Sequence, residues 1–89
     1  MEFRWSSRAL RNMDRLAVDT PRVAAAVAEL VYGTLAKEPY RVGKPLLHEL
    51  VGLYSARRGE YRIVYRIHEA KGEVMIVSVG ARRTIYRPT

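Results

Sequence analysis

Cysteine is missing from all 89 positions, which rules out disulfides and thiolate metal sites as braces for the fold and makes a reducing, cytoplasmic compartment the natural expectation. Histidine is nearly absent. His48 in LLHEL and His68 at a strand end do not form a pair at ligand spacing, so the pattern predicts neither a metal site nor a cofactor. Long hydrophobic runs are lacking too: the longest, VAAAVAELVYG, is broken by Glu29 and is too short to span a bilayer. The opening MEFRWSSRAL has no apolar stretch of the signal-peptide kind. These absences predict a soluble, unprocessed chain with no membrane partner. No internal repeat or low-complexity tract interrupts it, and the length allows one small domain over residues 1–89.

Acidic residues are the remaining scarcity. Nine Asp and Glu face sixteen Lys and Arg, a net charge of +7, and thirteen of the sixteen cations are Arg. A positive field of this kind favours polyanionic partners. Solubility alone would be served equally well by lysine, whereas the planar guanidinium fork suits bidentate contact with phosphate. The surplus is concentrated late in the chain: residues 1–40 carry six cations and five acids, residues 54–89 eight cations and three acids.

The hydrophobic period changes once along the chain, and that change sets the fold class. EFRWS alternates Phe3 and Trp5 with Glu2 and Arg4, the pattern of a short strand with one buried face. Ser6 or Ser7 can cap the helix that follows, in which Ala9, Leu10, Met13, Leu16 and Ala17 form an apolar stripe opposite Arg8, Arg11, Asp14 and Arg15. DTPR offers Asp19 or Thr20 as a cap and Pro21 as the first helical residue of a second helix through Val23, Val27, Leu30, Val31 and Leu35, ending before Pro39. After the Pro- and Gly-punctuated connection EPYRVGKPL the period becomes two. GLYSARR, EYRIVYRIHE and EVMIVSVGA read as three antiparallel strands, with AKG as the last turn and Gly59 permitting a turn or bulge between the first two. The expectation is an α+β domain of order β-α-α-β-β-β, a helical hairpin packed on an antiparallel sheet. Trp5, Phe3, Tyr32 and Tyr40 are read as core or rim residues.

The run ARRGEYRIVYRIH places cations among bulky strand-forming residues. Strand alternation puts Tyr61, Ile63, Tyr65 and Ile67 on one face and Arg62, Val64, Arg66 and His68 on the other. Leu53, Ser55 and Arg57 share a face of the preceding strand, and Arg82 and Arg83 directly follow the last one. Arg57, Arg62 and Arg82 are therefore expected to converge on one surface. A cluster of like charges is unfavourable when empty, so the convergence points to an anionic ligand, the alternative being that the arginines splay into solvent.

With VGKPL before it and Arg82-Arg83-Thr84-Ile85-Tyr86-Arg87 after it, the pattern L-x-S-x-R-x-G-x-Y-R-x-x-Y from Leu53 to Tyr65 resembles the RelE toxin family of the RelE/ParE superfamily. The likeness covers nearly the whole chain. It implies a RelE-like fold and a toxin of a type II toxin–antitoxin pair, one that enters the ribosomal A site and cleaves mRNA as a metal-free RNase. It also implies a bacterial ribosome with its mRNA and an acidic cognate antitoxin as partners.

Carried over by position, the resemblance makes Arg62 the phosphate-stabilising arginine, Arg82 the arginine near the leaving group, and Tyr86 the tyrosine that orients the nucleotide or takes part in proton transfer. Arg57, Arg58, Arg66, Arg83 and Arg87 complete the expected RNA- and phosphate-binding set. His68 is a remote candidate base. The lysines that the best-studied members carry on the strand before G-x-Y-R correspond to Leu53 and Ser55, and the histidine of many relatives corresponds to Ala81. Two rival readings follow. A ParE-like gyrase poison needs no RNA site, and a catalytically silent module would only bind an acidic partner or nucleic acid.

Overall fold

The computed structural model describes residues 2–47 and 50–81. Its elements are β1 (Glu2–Trp5), α1 (Ser7–Asp19), α2 (Pro21–Leu30), a π-helical turn (Val31–Leu35), α3 (Pro39–Val42), β2 (Lys44–Pro45), β3 (Tyr54–Arg58), β4 (Tyr61–His68) and β5 (Glu73–Ala81). The α+β class and the expected order are present, with three helices packed on a five-stranded sheet.

Local chemistry explains the helix boundaries. Ser6 caps α1 by accepting the Ala9 amide at 3.0 Å, which satisfies one of the N–H groups a helix start leaves unpaired. Pro21 opens α2 with its φ already near the helical value, while the Thr20 hydroxyl makes no capping bond. Ala9 and Leu16 are buried with Met13 packed against them, whereas Leu10 is 52% exposed. The expected α1 stripe is thus narrower by one flank. In α2 and the wider turn that continues it, Val27, Val31 and Leu35 recur every four residues and all are fully buried. A π-helical turn holds more residues than an α turn, so it keeps Leu35 in line with Val31 where an α-helix would drift.

The helices cover one face of the sheet. Their apolar stripes meet Ala56 of β3, Ile63 and Tyr65 of β4, and Val74, Ile76 and Val79 of β5 in one core. Each fully buried aliphatic side chain contributes about 1.5–3 kcal/mol by removal from water. Tyr65 adds a directed contact, since its hydroxyl donates to the Pro39 carbonyl at 2.5 Å. Burial pushes its pKa up to about 12, so the phenol stays neutral and serves as a donor.

Strand order is β1-β5-β4-β3-β2, and one feature of the expected sheet is corrected. The pairs β2–β3, β3–β4 and β4–β5 are antiparallel, but β1 runs parallel to β5, so the sheet is mixed. The connection EPYRVGKPL supplies the reason. It holds the short helix α3 and the two-residue strand β2, and β2 adds one more chain reversal before β5 is reached. β5 therefore runs with β1 instead of against it.

A bulge in β5 adjusts which side chains face which way. Val64 pairs with Ser78 but Tyr65 pairs with Ile76, leaving Val77 as the extra residue. Its carbonyl is satisfied by the Ser6 hydroxyl at 2.6 Å. The change of phase lets Val74, Ile76 and Val79 all face the helices and puts Gly80 beside Arg62 on the opposite face.

Candidate active site

Arg57 of β3 and Arg62 of β4 are directly opposite in the strand register and share the face away from the helices. Gly80 of β5 is the partner of Arg62 on the other side. The hairpin between β3 and β4 turns at Gly59, whose φ of 60° is costly for residues with a Cβ. The Arg57 Nε donates to the Gly59 carbonyl at 3.3 Å, and the Arg62 Nη1 donates to the Tyr61 carbonyl at 3.4 Å. Both acceptors are neutral. Among the described residues no carboxylate pairs with either guanidinium, so most donors of each fork are left for a ligand.

These two arginines line a groove of about 340 Å³ with Val42, Lys44, Leu46 and Ser55. The volume lies in the range of about 300–1,000 Å³ typical of small-ligand sites. Lys44 belongs to β2 and is the register partner of Ser55, so it enters the groove from the strand outside β3. Its place inside a Pro- and Gly-rich connection hid it from sequence reasoning, because a two-residue strand has no measurable period. Among the described residues, three cations and no acid line the groove, an arrangement suited to a phosphodiester anion.

The loop carrying Lys44 is fixed from the other side of the sheet. Gly43 lies against Tyr65 so closely that an added Cβ would come within 2.9 Å of two ring carbons. Together with the Tyr65 hydrogen bond to Pro39, this contact holds α3 and the start of β2 against β4.

The remaining predicted residues separate. Arg66 is on the same face as Arg62, four residues further along β4, which is about 13 Å at about 3.3 Å per residue. Its register partner is Met75, and it is exposed. Arg58 pairs with Tyr61 and shares the parity of buried Ala56, so it points to the helix side of the sheet. There it borders a second cleft of about 350 Å³ with Arg22, Val23, Ala26, Gly59, Glu60 and Tyr61. It does not join the groove. His68 is paired with Glu73 at the far end of β4. Glu73 receives the Arg4 Nε at 2.6 Å, and that hydrogen bond holds its carboxyl below the usual carboxylate range. The cation at that end is therefore neutralised, unlike those of the groove. Arg82, Arg83, Tyr86 and Arg87 lie outside the described residues, as does His48.

Ala81 is paired with Tyr61 and borders a cleft of about 250 Å³ with Asn12, Arg15, Leu16, Asp19 and Thr20. Among the described residues no three His, Asp or Glu side chains are grouped as metal ligands. None of the described helices is long and apolar enough to cross a membrane.

Residues 3–86 match the family model described as the ParE toxin of the type II toxin–antitoxin system parDE. The chain belongs to the RelE/ParE family of type II toxins. It is 48% identical over 84 residues to Toxin RelG of Mycobacterium tuberculosis, covering 94% of this chain and 93% of that one. Toxin RelE of the same organism is 43% identical over 82 residues, covering 92% and 81% respectively. Among solved structures, the RelBE2 toxin–antitoxin complex of M. tuberculosis contains a chain that superimposes with a TM-score of 0.83 at 46% identity, covering 91% of this chain and 96% of that one. The family resemblance drawn from the Leu53–Tyr65 run is thereby established.

Proposed function

We propose that this toxin is a ribosome-dependent endoribonuclease that cleaves mRNA in the A site by attack of a ribose 2′-oxygen, without a metal ion. The observation that carries the proposal is the opposed Arg57–Arg62 pair, set on the sheet face away from the helices in a groove where no acid is found among the described lining residues. In this reaction the 2′-hydroxyl loses its proton, its oxygen bonds to phosphorus, and the bond from phosphorus to the 5′-oxygen breaks as that oxygen gains a proton. The products are a 2′,3′-cyclic phosphate and a 5′-hydroxyl. The crowded phosphorane carries extra negative charge, and preplaced cations stabilise it more than the ground state.

Arg62 is assigned the phosphorane and Arg57 an adjoining phosphate oxygen. Arg82 and Tyr86 are assigned the leaving-group side and the orientation of the nucleotide, on the strength of the family pattern. Arg66, Arg83 and Arg87 contact flanking phosphates in the same reading. An acidic cognate antitoxin neutralises the basic face in the cytoplasm, a role supported by the solved relative in a toxin–antitoxin complex.

The test is primer-extension mapping of mRNA on programmed bacterial ribosomes with the wild type, Arg62→Ala, Arg82→Ala and Tyr86→Phe. Cuts confined to the A-site codon and slowed at least tenfold by one of these changes support the proposal. A folded wild type that binds ribosomes without cutting overturns it. Gyrase-dependent DNA breaks would then identify a ParE-like poison, and their absence a silent binding module.

A further inference from the structure

Arginine cannot release a proton at neutral pH, and the groove places an amine beside two arginines. Among the described residues lining it, Lys44 is the one amine, and an ammonium can act as a proton donor where the delocalised guanidinium serves only as a fixed cation. Its position is built rather than incidental. Lys44 is locked into register with Ser55, next to the Arg57–Arg62 pair, and the strand that carries it begins immediately after the Gly43 contact with Tyr65. Among the described residues no carboxylate pairs with it, so the ammonium is available to an anion.

We propose that Lys44 is a substrate-contacting residue of this site, binding the scissile phosphodiester of single-stranded RNA and protonating the departing 5′-oxygen. This rests on the ribonuclease reading above and assigns one of its proton transfers. As the bond from phosphorus to the 5′-oxygen breaks, its electron pair takes a proton from the Lys44 Nζ. The amine left behind is neutral and recovers its proton from water, so no further reactant is consumed. Arg57 and Arg62 hold the phosphorane while Lys44 serves the leaving oxygen.

The experiment compares wild type, Lys44→Ala and Lys44→Arg on ribosome-bound mRNA carrying an ordinary linkage or a 5′-bridging phosphorothiolate at the A-site codon. A thiolate leaves without protonation. A lost general acid costs about 10²–10⁴-fold, so both variants are expected to cut the ordinary linkage at least a hundredfold slower; on the sulfur linkage Lys44→Arg, which keeps the phosphate contact, is expected to return to within threefold of wild type, and Lys44→Ala, which loses it, to recover only in part. A merely structural lysine would slow both linkages alike. Equal slowing of the two linkages in Lys44→Arg, or an unchanged rate with the ordinary linkage, overturns the proton transfer.

A second measurement reads the contact without any cleavage. Binding of a 2′-O-methyl RNA oligonucleotide to the free toxin is titrated with salt, where each single-strand phosphate contact contributes about 0.7 to the slope of log K against log salt. Lys44→Ala is expected to lose that increment and Lys44→Arg to keep it. If the wild type cuts nothing on ribosomes, the ribonuclease reading fails and the proton transfer with it, while the salt slope still decides whether Lys44 touches phosphate. An unchanged slope in Lys44→Ala overturns the contact.

Discussion

Arg57 and Arg62 form a cross-strand pair of like charges, facing each other between β3 and β4 on one side of the sheet. Directly opposed like charges destabilise a sheet by a few tenths to about 1 kcal/mol, so this pair has an unfavourable term in the empty protein. Arg62→Ala is therefore expected to leave the urea midpoint unchanged or raise it slightly, while A-site cleavage falls a hundredfold or more. Loss of cleavage accompanied by a large loss of stability would instead mark Arg62 as a packing residue. Chemical denaturation beside primer extension separates the two.

Arg58 is adjacent in sequence to Arg57 but points to the helix-covered side. Arg57→Ala is expected to weaken binding of a non-cleavable RNA and to reduce its salt slope by about 0.7, one single-strand phosphate contact. Arg58→Ala is expected to change neither by more than a few tenths. Isothermal titration at two salt concentrations gives both numbers. Equal losses from the two variants would mean that RNA wraps around the hairpin end and reaches both faces.

Tyr65 is fully buried and its phenol is pushed up to about 12 by burial. Below the ordinary tyrosine pKa of about 10 the phenol is neutral in the folded and the unfolded chain alike. Between about 10 and 12 the unfolded chain ionises while the folded chain keeps its proton, so stability falls as pH rises through that window. At 1.36 kcal/mol per unit the loss attributable to Tyr65 reaches about 2–3 kcal/mol at the upper end. Tyr65→Phe is expected to remove this portion of the alkaline loss. At neutral pH the same change should cost about 1–2 kcal/mol, since it strips the Pro39 carbonyl of its donor. Urea titrations from pH 7 to 12 test both signs.

Much of the fold was legible because the hydrophobic period switches cleanly. The four-residue spacing of Val27, Val31 and Leu35 and the alternation of Tyr61, Ile63, Tyr65 and Ile67 named the two inner faces, and both are buried or packed against the core. The side of Arg58 was missed: charge alone grouped it with Arg57, although its shared parity with Ala56 turns it to the helix side. β2 and α3 were not legible. Two and four residues are too few to show a period, and Pro39, Gly43 and Pro45 read simply as punctuation. Missing β2 concealed both the parallel pairing of β1 and the place of Lys44 in the groove. The β5 bulge was equally hidden, since MIVSV alternates no better with an extra residue than without one.

That bulge depends on Ser6, whose hydroxyl accepts the Ala9 amide and donates to the carbonyl of the extra residue Val77. One side chain thus starts α1 and fixes the phase of β5, the strand that presents Gly80 to Arg62. Ser6→Ala removes a helix cap worth about 1 kcal/mol and leaves the Val77 carbonyl without its donor, so a total loss of about 2 kcal/mol is expected from urea denaturation. Ser6→Thr preserves the hydroxyl and should recover at least half. A hydrogen-exchange comparison locates the effect: in Ser6→Ala the Ala9 amide and the β5 amides flanking the bulge should exchange faster, while the β3–β4 ladder keeps its protection. Uniform acceleration across the sheet would mean that Ser6 supports only global stability and does not set the local phase of β5.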